Sequence, residues 1–206
     1  MERRLFRISN RNTFMPHTSH PPVLVSLTIV RDRPELTAKS AIRSAAMFAV
    51  TRAGQTDARF HVDHRAFDRS ASRAEIIRGI CERIPAGATL LTPVPRIPRG
   101  YVKRAYVAGN VPPPADIQLI QRQLPGLDVV PIQCADRHLA EAANAAGIPY
   151  ADSKTRVLER ARGAPHQAQA LWQLYLWTQC PPQERVDLSA AWKAWREIER
   201  ARPLGF

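Results

Sequence analysis

The sequence predicts an α/β protein in which a mixed sheet is flanked by helices. Three observations lead to that class. Residues 23–30, VLVSLTIV, carry no charge and are mostly β-branched or Leu, the pattern of a strand buried on both faces. Two further strand-like runs follow, separated by turn chemistry. From Ser72 onward, amphipathic helices alternate with short apolar runs, which places helices against a sheet. The chain has 206 residues, 45% of them hydrophobic, enough for one core without a disulfide or a metal.

Taken in order, Pro21 and Pro22 break the chain before the first strand. SAAMFAVTR and RFHVDHRAF flank AGQTDA, where Gly54 and Asp57 predict a hairpin. A helix from Pro34 through Met47, rich in Ala, competes with this; Val50 and Thr51 favour strand at the end of the segment. Ser72 caps a helix that carries Ile76, Ile77, Ile80 and Ile84 on one face, and Pro85 and Gly87 stop it. ATLLTPVP is the fourth strand. A Pro-rich connection then leads through VPPPAD to the short helix ADIQLIQRQL, and LDVVPIQC is the fifth strand. DRHLAEAANAAGI is a helix closed by Gly147. PHQAQALWQLYLWTQC is an apolar helix ended by Cys180 and Pro181, and LSAAWKAWREIERAR is a last amphipathic helix. The order is β-β-β-α-β-α-β-α-α-α. It divides into a flexible basic arm (1–20), one domain (21–182) and a C-terminal amphipathic helix (183–206).

Charge is the first pointer to function. Lys and Arg number 30 against 18 Asp and Glu, a net charge of +12, which favours a polyanionic partner, nucleic acid above all. Arg supplies nearly all of it. Arg with abundant Ala and Pro is also the compositional habit of a GC-rich bacterial genome. The excess concentrates in the arm and in RIPRGYVKRAY, where Arg96, Arg99, Lys103 and Arg104 alternate with Tyr101 and Tyr106. Basic residues beside aromatics suit phosphate contacts combined with base stacking, and equally a solvated loop whose tyrosines face the core.

Other classes find less support. No apolar run approaches the ~18 residues of a spanning helix, so no membrane partner is expected. The first 20 residues lack the apolar stretch of a secretory signal, and Cys81, Cys134 and Cys180 are widely spaced. They read as small buried residues of a cytoplasmic protein. His61, Asp63 and His64 form HVDH, which lacks a third metal ligand and reads as a strand edge. Asp32 and Glu35, between Arg31, Arg33 and Pro34, read as an exposed turn. There is no Gly-rich phosphate loop. Trp172 and Trp177 suit core packing, whereas Trp192 and Trp195 suit either a clamp onto the body or a protein interface.

Three passages, IRSAAMFAVTRAGQTDARFHV, HLAEAANAAGIP and PHQAQALWQLYL, together with the element order, resemble the ribonuclease H-like fold of the DEDD 3′–5′ exonucleases. The version they are most similar to carries H-x-A-x-x-D in its last helix. The resemblance implies two Mg²⁺ or Mn²⁺ ions held by four carboxylates, with a general-base His. Here Ser26 and Thr28 fall where the first strand of the family reads D-x-E. His166 falls at the base, Leu171 at the last Asp, and Asp116 is the one candidate for the remaining carboxylate. A degenerate active site follows, with no cofactor expected, or Mg or Mn if catalysis persists. Three functions follow from this: a nucleic-acid-associated protein that has lost metal-dependent catalysis, an active nuclease with shifted ligands such as Asp32, Asp63 or Asp116, and a protein-interaction module.

Overall fold

A computed structural model describes residues 23–32, 40–52, 57–95 and 114–201. Among them run β1 (Val23–Arg31), β2 (Ile42–Arg52), β3 (Ala58–Ala66), α1 (Arg73–Cys81), β4 (Ala88–Pro95), α2 (Ala115–Gln123), β5 (Asp128–Cys134), α3 (Asp136–Ala145), α4 (Val157–Arg162), α5 (Ala164–Gln179) and α6 (Pro182–Ala201). The strands form one sheet in the order β3-β2-β1-β4-β5. β1 pairs antiparallel with β2 and parallel with β4, β2 pairs antiparallel with β3, and β4 pairs parallel with β5. Only β2 therefore runs against the other four.

The period-2 alternation of β1 and β2 sends side chains into two separate cores. Val25, Leu27, Ala45 and Met47 meet Ile76, Ile77 and Ile80 of α1 and Ile117 and Ile120 of α2. Val30, Ala46, Phe48 and Val50 meet Leu171, Trp172 and Leu176 of α5 and Leu188 and Trp192 of α6. The molecule is thus a three-layered α/β/α arrangement, and β1 is covered on both faces, as its uncharged sequence predicts. Ser72 caps α1 through a reciprocal box with Glu75. Gly147, at φ +63°, closes α3: its amide donates to Asn144 O (3.0 Å) and that of Ile148 to Ala143 O (2.8 Å).

Several readings change. The competing helix through Met47 does not form: Ser44 to Met47 are paired in register with both β1 and β3, and Ile42 with β1, which overrides the alanine propensity of the segment. α4 has no counterpart in the sequence reading; at six residues it is too short for a periodic signature. α6 starts at Pro182 and is part of the core rather than an appendage. Trp192 is 2% exposed and Trp195 packs at a tilt against Phe48 and Phe60, at centroid distances of 5.7 and 5.6 Å. Both rings clamp α6 to the sheet, Trp192 buried and Trp195 half-buried. Trp177, by contrast, is 56% exposed, with the Arg185 guanidinium 5.7 Å from its ring centroid. No helix among the described residues is long and apolar enough to cross a membrane.

Candidate functional site

Parallel strands end together, and the crevice beyond their carboxyl ends is where open α/β sheets place ligands. A cavity of about 480 Å³ opens at the ends of β1, β4 and β5. Its polar lining includes Thr28 and Arg31 from β1, Thr92 from β4, Asp116 from the first turn of α2, Arg160 from α4 and Gln167 from α5.

The end of β1 is shaped by a register shift. Val30 pairs with Ser44 but Arg31 with Ile42, so Arg43 is the extra residue of a bulge, and the bulge re-aims the chain. Arg31 is buried, at 7% exposure, and pairs with the Asp116 carboxylate, itself 2% exposed. Arg73 of α1 reaches the same carboxylate, with Nη2 2.6 Å and Nε 3.0 Å from Oδ1. Arg31 Nη1 also donates to Ser40 O (3.0 Å), and Arg160 Nη2 donates to Arg31 O (3.1 Å). Burial and the neighbouring Arg73 charge lower the Arg31 pKa to about 10, so it remains a cation at neutral pH. Arg43 grips Asp32, Nη2 standing 2.6 Å from Oδ2. Within the exposed turn read around Asp32 and Glu35, Arg31 is thus a buried strand end and Asp32 is half-buried and paired, while Glu35 lies outside the described residues.

The far wall is held by α3 and the chain leading to α4. Asp136 accepts from the Ser153 amide (3.0 Å), and the Tyr150 hydroxyl lies 3.5 Å from it. Burial beside that carboxylate pushes the Tyr150 phenol well above its ordinary range. Burial and Asp136 together push the Cys134 thiol up to about 11. Gln167 Nε2 donates to Ala151 O (2.7 Å), which ties the loop to α5.

The residues singled out in the sequence divide around this cavity. Thr28, Asp116 and Leu171 line it together. Ser26 is fully buried, its hydroxyl has no partner among the described residues, and it is not among the residues that line the cavity. His166 does not line it either: α5 presents Gln167 and Leu171, one turn apart, and the preceding residue lies about 100° round the helix. His166 is half-buried towards Arg196 of α6, and burial and that charge hold its pKa below the ordinary value. In HVDH, His61 and His64 are exposed and both Asp63 oxygens lie 2.8 Å from Arg83 Nη1. Arg96, Arg99, Tyr101, Lys103, Arg104 and Tyr106 lie outside the described residues. Cys81, Cys134 and Cys180 are buried free thiols.

The donors present do not fit a two-metal centre. Divalent Mg and Mn require clustered oxygen anions. Here the positions in question hold Thr28, Leu171 and one carboxylate already shared by two guanidinium groups. No group of three potential metal ligands occurs among the described residues. Sequence reasoning missed Arg31, Arg73 and Arg160. The one available signal was Arg31 itself, a charge placed directly after an uncharged buried strand. No protein-family model matches the chain, and no curated protein matches it.

Proposed function

We propose that the chain is a nucleic-acid-associated protein with a ribonuclease H-like, exonuclease-like fold that binds without metal-dependent cleavage. The strand order β3-β2-β1-β4-β5 with β2 alone reversed supports that fold reading. One observation carries the functional reading. Three carboxylates weighed as metal ligands are held by arginine: Asp116 by Arg31 and Arg73, Asp32 by Arg43, and Asp63 by Arg83; Glu35 lies outside the described residues. Guanidinium groups stand where dications would have to bind, and they cannot activate a water for in-line attack. The net charge of +12 and the basic stretch 96–106 supply the phosphate contacts.

Nuclease and gel-shift assays on one preparation, with and without Mn²⁺, test this. Single- or double-stranded nucleic acid should be retarded at low salt, intact, with affinity falling steeply as salt rises. Replacing Arg99, Lys103 and Arg104 by Glu should weaken retardation more than tenfold. Chelator-sensitive digestion would establish the nuclease instead, and no retardation at low salt would sink the reading.

A further inference from the structure

Arg160 is the one buried cation of the cavity with no anion beside it among the described residues. It is 8% exposed, and its Nη2 donates to the Arg31 carbonyl. Its Nε is buried without an acceptor among the described residues. Asp116 is already engaged by Arg31 and Arg73, and Asp136, on an exposed residue at the rim, accepts from Ser153. The cavity lining holds two guanidinium groups (Arg31, Arg160) and two carboxylates (Asp116, Asp136); Asp116 is taken by Arg31 and by Arg73 from outside the lining, so no carboxylate among the described residues pairs with Arg160. Proteins rarely keep a buried guanidinium short of acceptors, because its lost hydration is not returned.

We propose that this cavity is a metal-independent binding site for a small organic oxyanion, an organic phosphate or carboxylate with an apolar body, whose oxygens pair with Arg160. A guanidinium fork matches such a pair of oxygens, and a small rotation towards the ligand gives the orphaned Nε an acceptor. Thr28 and Thr92 add hydroxyls to the same wall, and Val94, Ile117, Leu139 and Leu171 line it with apolar surface for the remainder of the ligand. The volume of about 480 Å³ is of small-molecule size. The proposed ligand contacts come from Arg160, Thr28 and Thr92 rather than from the basic stretch 96–106 or a nucleic-acid strand, so the site stands or falls separately from the binding reading above.

Thermal melting of the full chain in EDTA, titrated with phenyl phosphate, benzoate, inorganic phosphate and neutral phenol, tests the site. A saturable rise in Tm is expected with phenyl phosphate or benzoate, and the stronger of the two identifies the headgroup. Arg160→Met should melt at or above the unliganded wild type, since a buried unpaired charge is gone, and should lose the ligand-induced rise. Arg160→Lys keeps charge without the fork and should bind about tenfold more weakly or worse. The site is overturned if neither anion raises Tm at millimolar concentration, or if phenol does as well as the anions. It is equally overturned by an undiminished rise in Arg160→Met. Should that variant not fold, wild-type affinity in Arg160→Lys is the overturning result.

Discussion

At the residue scale, the decisive feature is a carboxylate that reads from sequence as a helix-start charge or a metal ligand and turns out to be an ion-pair centre. Asp116 occupies the first turn of α2, where the helix dipole favours an anion, but its burial is made tolerable by Arg31 and Arg73. Asp116→Asn keeps the volume and leaves Arg31 buried without a counter-charge. It should cost about 3–5 kcal/mol in urea unfolding; an unchanged midpoint would remove Asp116 from the clamp. His166 gives a pH signature. Its folded-state pKa lies below the ordinary 6.5, so the unfolded chain takes up the proton first as pH falls. The stabilising contribution is complete above about pH 6.5 and is lost on acidification through and below it. Wild-type stability should therefore decline more between about pH 7 and pH 5 than that of His166→Gln, and parallel profiles would exclude the effect.

At the element scale, boundaries are set by caps and by register. The ending of α3 depends on Gly147 adopting φ +63°, and an added Cβ there would meet no atom within 4 Å. Gly147→Ala should therefore cost only the left-handed backbone term, about 1–2 kcal/mol. Gly147→Asn, a residue more tolerant of that conformation, should lose less. Equal losses for both would show that space rather than backbone limits the site. The β1–β2 bulge is the corresponding device in the sheet. It brings Arg31 to Asp116 while Arg43, the inserted residue, secures Asp32.

For the whole molecule, α6 decides whether the second core is closed. Trp192 lies 6.2 Å from the Trp172 ring, and Arg196 stands 4.9 Å from the Trp192 centroid while donating to Ala146 O (2.8 Å) and Gly147 O (3.1 Å). α6 thereby joins the sheet, α5 and the end of α3. Trp192→Ala should lower stability by about 3–5 kcal/mol in a single cooperative transition. Loss of α6 helicity alone, with the rest of the molecule melting as before, would instead make 183–206 a separable segment.

The sequence alone was sufficient for the elements whose physics is local. β1 through its uncharged run, α1 through Ser72 and its isoleucines, and the end of α3 through Gly147 were all legible, as was the α/β class that their alternation implies. Asp116, Thr28 and Leu171 were legible as residues that meet at one place. Their chemistry was not, because ion pairing is a matter of distance between remote segments. Arg31, Arg73, Asp116 and Arg160 are spread over 129 positions and meet only where β1, α1, α2 and α4 converge. Whether Arg31 is a solvated turn or a buried clamp depends on burial, and burial is created by packing. The sequence determined which layers form; only the tertiary structure decided that the carboxylates in question face arginine.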